Sequence, residues 1–321
     1  MRHILCFLLL FLANFGWATP HSAFRADNNW AGFPNLKSLH IFGDSYSRTG
    51  FDPSGTQPFF TNPLGNPSYP GRTSSNGPNW AGYLTTKYND SSILAYNFAG
   101  SGATLDKSIV DNNGYDVIRE IDEGYLRYYG NDTIESSTSL FVVWIGINDI
   151  TNSYLERNDT THSSIFKSFR YRIDSLYDTG ARNFLLLSIP PLERAPRTTQ
   201  SSDAENRVPL MKDAVQDWNE RLRIFKQRIQ YLHSDVNVFL FDTYSLFQKV
   251  IDDPAQYEET AVYKDTATYC SAYQSGTDEI DTKLDECEFA ANEYLWLNSM
   301  HPTSPIHEVL AKQVAKVLKA Q

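Results

Sequence analysis

Residues 38–47 read SLHIFGDSYS, and this stretch decides the fold. Ser38 to Phe42 form a short run of β-forming character, and Gly43, Asp44 and Ser45 follow it directly. A serine beside a turn-forming glycine at the carboxyl end of a parallel strand lies where open α/β sheets bind ligands. Gly-Asp-Ser by itself more often forms a simple turn or caps a helix. The rest of the chain must therefore decide between the two interpretations.

The residues on either side of this stretch alternate between two patterns. Further β-rich runs predict strands over 94–98, 140–145, 183–189 and 236–241, and helical spacing of apolar residues predicts helices over 80–88, 115–129, 164–177, 204–232 and 305–318. This alternation predicts an α/β fold, a three-layer α/β/α sandwich with a central five-stranded, mostly parallel sheet. The loops over 52–72 and 253–286 are long for a compact domain, and we expect them to wall a surface cleft.

The first 18 residues have the order of a secretory signal peptide: a basic residue at Arg2, an apolar run, and small residues up to Ala18. A retained membrane anchor is the alternative, but the apolar run is shorter than the roughly 20 residues that a spanning helix needs. We therefore predict a signal peptide over 1–18, a single domain over 19–321, and a secreted, extracellular protein.

Secretion changes the meaning of the cysteines. Cys6 lies in the predicted signal peptide, so Cys270 and Cys287 remain, and an oxidising compartment favours a disulfide between them. Two unpaired buried thiols are the alternative. Three Asn-x-Ser/Thr sequences are acceptor sites in a secreted protein, and they predict glycosylation at Asn89, Asn131 and Asn158.

Charge and motif content exclude several classes of function. The chain has 28 Lys and Arg against 38 Asp and Glu, a net charge of −10, which argues against a nucleic acid or an anionic membrane as partner. No group of His, Cys and carboxylate residues has the spacing of metal ligands, and no phosphate-binding glycine loop is present. We predict no cofactor, no metal and no integral membrane association.

Three further blocks place polar groups near the end of a strand or before a helix. Residues 97–103, NFAGSGA, offer the Gly100 amide to a developing oxyanion, and residues 144–149, WIGIND, offer the Asn148 carboxamide. Residues 296–303, WLNSMHPT, offer His301 as a general base for a nucleophilic serine. Each signal is weak alone, but together they favour a serine hydrolase site. Other histidines compete for the role of base: His21, His40, His162, His233 and His307.

These four blocks, in this order, resemble those of the SGNH or GDSL hydrolases, and the resemblance spans nearly the whole chain after residue 18. Residues 71–80, GRTSSNGPNW, are also similar to the segment before the first helix in fungal and plant GDSL esterases. Within that group the chain looks most like the fungal acetylesterases of carbohydrate esterase family 16. The resemblance implies a flavodoxin-like fold and a nucleophile at Ser45. It further implies a base at His301 and an oxyanion hole formed by the Ser45 and Gly100 N–H groups with the Asn148 side chain. Asp44 and Asp149 are expected to hold loops rather than to transfer protons.

The sequence departs from the family three residues before the histidine, where an acid is usual and Asn298 stands instead. A carboxylate would orient the imidazole and stabilise imidazolium, whereas Asn offers only a carbonyl acceptor. Three interpretations follow: an enzyme oriented by Asn298 or a backbone carbonyl, an enzyme that borrows another acid such as Glu293, or a weakened homologue.

The resemblance implies an esterase that removes acetyl groups from hemicellulose-derived sugars, with an acetylated oligosaccharide or another small ester as its partner. A secreted lipase or phospholipase acting on longer acyl esters is the alternative enzyme. A carbohydrate-binding protein on a hydrolase scaffold is the alternative from another class, because 14% of the residues are aromatic.

Overall fold

A computed structural model describes residues 29–112, 114–156 and 159–321. The predicted signal peptide and its cleavage site lie outside the described residues, as do His21 and the sequon residue Asn158. Within the described part of the chain, no helix combines the length and the apolar character that crossing a membrane requires.

The centre of the fold is a five-stranded sheet in the order β2-β1-β3-β4-β5, and every pair of neighbouring strands is parallel. The strands are β1 Ser38–Gly43, β2 Leu94–Asn97, β3 Ser139–Trp144, β4 Asn183–Leu187 and β5 Asn237–Phe241. All five predicted strands are confirmed, with small shifts at their ends. Every residue of β3 and β4 is buried, because helices cover both faces of a parallel sheet.

The helices that surround the sheet connect its parallel strands. They are α1 Trp80–Thr86, α2 Val117–Arg119, α3 Arg127–Tyr129, α4 Ile147–Ser153, α5 Asp159–Asp178, α6 Pro196–Thr199, α7 Ala204–Leu232, α8 Thr243–Asp252 and α9 Ser304–Lys319. One set packs together through α1, α8 and α9, and another through α4, α5 and α7. The α/β/α architecture is confirmed.

The helical predictions differ from the structure in two respects. The predicted helix over 115–129 begins at Val117 and contains a π-helical stretch, Glu120–Leu126, between α2 and α3. The short helices α4, α6 and α8 were not predicted. The helices α4 and α8 begin within three residues of the end of a strand, so their apolar pattern merges with that of the strand, and α6 has only four residues. The helix α7 has its predicted bounds, and its stripe of Met211, Val215, Trp218, Leu222 and Phe225 faces the core.

The strand order fixes where a site can form. From β1 the chain moves to β2 on one side, and then returns to β3 on the other side of β1. The carboxyl ends of β1 and β3 therefore flank the point where the strand order reverses, and crevices for ligands open at such points. Ser45 follows β1 and Asn148 follows β3, so both lie at this crevice.

Candidate active site

The turn after β1 presents Ser45. Gly43 has φ +151°, and a Cβ at this position would lie 2.2 Å from the carbonyl oxygen of Trp144 on β3, so only glycine fits. The Asp44 carboxylate accepts a hydrogen bond from the Tyr46 N–H at 2.9 Å and fixes the turn. Ser45 is 7% exposed, and its own N–H has no hydrogen-bond partner among the described residues.

The imidazole of His301 reaches Ser45 across a separation of 256 residues. Its Nε2 lies 2.8 Å from the Ser45 Oγ, and its Nδ1 lies 3.1 Å from the Asn298 Oδ1. Because Oδ1 is an acceptor, Nδ1 carries the proton and Nε2 is free to accept the serine proton. This is the tautomer that a general base needs.

The carboxamide of Asn298 has a fixed orientation. Its Oδ1 also accepts from the N–H groups of Met300 at 3.1 Å and His301 at 2.9 Å, while its Nδ2 donates to the Gln274 carbonyl at 3.4 Å. A flipped amide would place Nδ2 against two N–H donors. The structure therefore brings Ser45, His301 and Asn298 together in a single chain of hydrogen bonds.

The segment that bears His301 is held from two sides. The Tyr46 hydroxyl donates to the Met300 carbonyl, and the Tyr46 ring lies 5.8 Å from the imidazole. The Arg197 N–H donates to the Ser299 carbonyl at 2.7 Å. Burial lowers the pKa of His301 to about 4, so the imidazole is neutral and able to act as a base over most of the pH range.

The amide of Gly100, the predicted oxyanion donor, makes its hydrogen bonds inside the protein. Its N–H donates to the Gly43 carbonyl at 3.0 Å and to Glu120 Oε1 at 3.0 Å, so it points into the protein. Two residues further on, Gly102 is exposed with φ +74°, and its N–H has no partner within the described part of the chain. Both glycines lie in one GSG sequence, and only the hydrogen bonds distinguish them.

Asn148 lies in the first turn of α4, beside the Gly102 loop. Its Nδ2 donates to the Ala103 carbonyl at 2.9 Å, which leaves its second N–H for a ligand. Asp149 is fully buried, and its carboxylate accepts from the Leu105 N–H, with Oδ1 at 3.0 Å. Burial raises the pKa of Asp149 to about 7, as it does for Asp44. Both carboxyl groups bind loop amides in the structure.

Glu120 is the site residue that the sequence analysis missed. It is 3% exposed, and its carboxyl group accepts from the Gly43 N–H at 2.8 Å as well as from Gly100. Burial raises its pKa well above the usual range for glutamate, although the two backbone hydrogen bonds oppose this shift. No motif marks this position, because it lies in a helix between the second and third blocks.

The other titratable residues considered from the sequence lie outside this chain of hydrogen bonds. His40 is buried in the sheet and stacks on Phe141, and His162 and His233 contact carboxylates on other helices. His307 is buried behind the site, 6.2 Å from the ring of Tyr46. The carboxylate of Glu293 pairs with Lys264 at 2.6 Å and accepts from the Ala290 N–H, so the structure shows no contact with His301.

A polar cleft of about 430 Å³ opens beside His301 between two loops, 70–77 and 274–277. The loops are joined by Asn76, whose Oδ1 accepts from the Thr277 N–H at 2.7 Å. The Cys270–Cys287 disulfide, which is confirmed, closes the segment that carries the second loop. No group of three or more His, Cys, Asp or Glu residues in the described ranges could hold a metal ion.

The predicted sequons differ in accessibility where they are described. Asn131 is exposed, whereas Asn89 is half-buried and its Nδ2 donates to the Thr85 carbonyl. Their glycosylation stays a prediction.

Residues 39–314 match the family model described as GDSL-like Lipase/Acylhydrolase. The chain belongs to this family. An acetylesterase of Thermothelomyces thermophilus is 34% identical over 295 residues, which cover 89% of each chain. A thermolabile hemolysin of Vibrio parahaemolyticus is 26% identical and covers 87% of this chain and 63% of its own. A solved carbohydrate acetylesterase, Est24 from Sinorhizobium meliloti, is 14% identical with a TM-score of 0.47, over 88% of this chain and 99% of that one. As a GDSL-family protein with an acetylesterase relative, the chain is a carboxylic ester hydrolase.

Proposed function

We propose that this protein is a secreted acetylesterase that deacetylates hemicellulose-derived sugars through an acyl-enzyme on Ser45. The hydrogen bond of 2.8 Å between the Ser45 hydroxyl and His301 Nε2 carries the proposal of a nucleophile and base. Such a pair, with the base oriented by a third group, is the arrangement of nucleophilic ester hydrolysis.

The Ser45 Oγ attacks the ester carbonyl carbon while its proton passes to His301 Nε2. The carbonyl oxygen becomes an oxyanion, which the N–H groups of Ser45 and Gly102 and the free N–H of the Asn148 carboxamide stabilise. The tetrahedral intermediate then collapses, and His301 returns the proton to the departing alcohol. Water, deprotonated by the same imidazole, attacks the acyl-Ser45 ester and releases acetate and free serine.

Gly102 replaces Gly100 in this scheme because the Gly100 amide already donates to Gly43 and Glu120. The Gly102 amide is exposed and has no partner among the residues that the structure describes. Its neighbour Ala103 accepts a hydrogen bond from Asn148, so that two donors lie close together. Preorganised donors of this kind contribute several kcal/mol to a transition state when the charge develops next to them.

The polar cleft supports a sugar as the leaving alcohol. Its lining carries hydroxyl and carboxamide groups, from Thr73, Ser74, Asn76, Gln274, Ser275 and Thr277. Such groups match the hydroxyl groups of a carbohydrate, whereas a long acyl chain requires an apolar groove. The acetylesterase relative, which spans nearly the whole chain, supports the small acyl group.

A substrate panel tests the proposal. Wild-type protein and Ser45→Ala are compared on acetylated xylo-oligosaccharides and on 4-nitrophenyl esters from acetate to dodecanoate. We expect hydrolysis that depends on Ser45 and falls steeply with acyl length. Faster cleavage of dodecanoate than of acetate would favour the lipase alternative. Sugar binding by a wild-type protein that hydrolyses no ester would favour the carbohydrate-binding alternative.

The cleft is tested separately with Gln274→Leu, which keeps the size of an exposed side chain and removes its carboxamide. Loss of one hydrogen bond to a sugar should raise KM for an acetylated xylo-oligosaccharide by roughly fivefold. KM for 4-nitrophenyl acetate should stay unchanged, because this ester has no sugar. Equal changes for both substrates would place the sugar elsewhere.

A further inference from the structure

Glu120 connects two loops that the proposed mechanism uses. One of its carboxyl oxygens, Oε2, accepts from the Gly43 N–H at 2.8 Å, and the other, Oε1, accepts from the Gly100 N–H at 3.0 Å. Gly43 ends β1 two residues before Ser45, and Gly100 lies two residues before Gly102. One buried side chain therefore joins the segments that carry the two backbone donors of the oxyanion hole.

Both glycines are also enclosed on the side where a Cβ would lie. A Cβ on Gly43 would meet the Trp144 carbonyl oxygen at 2.2 Å, and a Cβ on Gly100 would meet the ring of Tyr115 at 2.1 Å. Each loop is therefore packed against a neighbour and bonded to Glu120. Small changes at Glu120 should move these loops rather than be absorbed by empty space.

The backbone around Glu120 is itself specialised. Glu120 is the first residue of the π-helical stretch that separates α2 from α3, and its N–H donates to the Asp116 carbonyl at 3.1 Å. Stretches of π-helix are uncommon and frequently occur at functional sites. Asp116 caps α2 by accepting from the Arg119 N–H at 2.9 Å, so the helix start beneath the site is fixed.

The two-oxygen fork of a carboxyl group suits this position better than a carboxamide does. Both partners are N–H donors, so both positions of the fork must be acceptors. Glutamine would offer one acceptor and one NH₂ group, and the NH₂ group would face a donor. One of the two loops would lose its hydrogen bond.

We propose that Glu120 is a positioning residue, which keeps the Ser45 and Gly102 amides in register by binding the amides of Gly43 and Gly100. The inference rests on the proposed role of Ser45 and on that of Gly102 as oxyanion donor. Glu120 lies behind the loops and does not line the polar cleft. Its loss should therefore weaken transition-state stabilisation and leave substrate binding largely intact.

Glu120→Gln tests the proposal. We expect kcat for 4-nitrophenyl acetate to fall by about 10- to 100-fold, because a displacement of an ångström or less can cost up to about 100-fold, while KM stays within about twofold. Glu120→Asp keeps both acceptors on a side chain one methylene shorter, and we expect its kcat to lie between those of Glu120→Gln and the wild type.

Glu259→Gln is the matched control. The Glu259 carboxylate is largely buried, lies away from the active site, and binds Lys312 and Tyr88. The variant should lose stability and keep kcat. The inference is overturned if Glu120→Gln folds and keeps the kcat of the wild type. It is also overturned if Glu259→Gln loses as much stability as Glu120→Gln and shows the same loss of kcat. If Glu120→Gln does not fold, Glu120→Asp decides by the same criteria, and failure of both to fold overturns the proposal in favour of a purely structural role.

The outcome is separable from a failure of the proposed function. A wild-type protein without Ser45-dependent esterase activity defeats the proposed function itself. An active wild type with an unaffected Glu120→Gln variant defeats only the positioning role.

Discussion

Replacing Asn298 by Asp should place a negative charge beside His301 and leave the geometry of the site almost unchanged. The Asn298 Oδ1 already lies 3.1 Å from His301 Nδ1, so a carboxylate oxygen can take its place and keep the same tautomer. What changes is the charge beside the imidazolium that forms in the transition state.

The expected gain is modest. At a charge separation of about 4 Å the attraction is roughly 1 kcal/mol in water and about 4 kcal/mol at an effective dielectric constant of 20. Asn298 and His301 are both half-buried at the edge of an open cleft, so solvent screens the pair. The variant also loses the hydrogen bond to the Gln274 carbonyl and places a carboxylate oxygen against it. A net gain of about 1–2 kcal/mol corresponds to a rise in kcat/KM of roughly 5- to 30-fold.

The same charge moves the pH profile in a defined direction. In the wild type, burial lowers the pKa of His301 to about 4, so the part of the kcat/KM profile that reports the imidazole should fall as the pH drops through about 4. A neighbouring carboxylate favours the protonated imidazole and raises its pKa. The acid limb of the Asn298→Asp profile should therefore lie about one pH unit higher, because 1.36 kcal/mol corresponds to one pH unit.

The assay is hydrolysis of 4-nitrophenyl acetate from pH 3.5 to 9, with Ser45→Ala as background and Glu293→Gln as a control acid. A gain of three or more orders of magnitude would refute the reasoning, since it would show that Asn298 does not support catalysis in the wild type. An unmoved acid limb would equally refute it. A large loss of activity in Glu293→Gln would favour the borrowed acid instead, despite its pairing with Lys264.

Three further predictions concern other parts of the molecule. Asn148→Ala should lower kcat by roughly 100- to 1,000-fold, as expected for an oxyanion donor, while Asn152→Ala, one turn further along α4, should not; equal losses would contradict the assignment. Replacing Cys270 and Cys287 by Ser should lower the free energy of unfolding in urea by about 3 kcal/mol, given their separation of 17 residues; an unchanged midpoint would count against this. Gly146→Ala should lower the free energy of unfolding by about 3 kcal/mol or more, because the backbone has φ +127° and a Cβ there would lie 2.4 Å from the Trp218 ring. Gly180→Ala, at φ +100° with nothing within 4 Å, should lower it by only about 1–2 kcal/mol. Similar thermal midpoints for the two variants would contradict the packing argument.

The fold could be predicted because its signals are local. Runs such as Ser38–Gly43 and Ser139–Trp144 have the length and apolar character of buried strands, and the stripe on Ala204–Leu232 has a helical period. The disulfide could be predicted because the chain after residue 18 holds just two cysteines. Signals of this kind do not depend on what lies across the sheet.

The site was only partly predictable, since hydrogen bonds between distant segments decide it. The sequence placed Ser45, Asn148 and His301 in separate blocks, and the structure joins Ser45 to His301 over 256 residues. It could not tell Gly100 from Gly102, because both glycines suit a tight turn. They differ in their hydrogen bonds, because the Gly100 amide donates to Glu120 and to the Gly43 carbonyl whereas the Gly102 amide is exposed.

The sequence by itself determined the sheet, the order of its strands along the chain, and the chemical groups available at its edge. Only the tertiary structure decided how those groups are used. The Asn298 carbonyl faces the imidazole because two backbone N–H groups fix its direction, and Glu120, the first residue of a π-helical stretch, binds the amides of two distant loops. Residue type sets which hydrogen bonds a group can make, and the arrangement of distant segments sets which ones it does make.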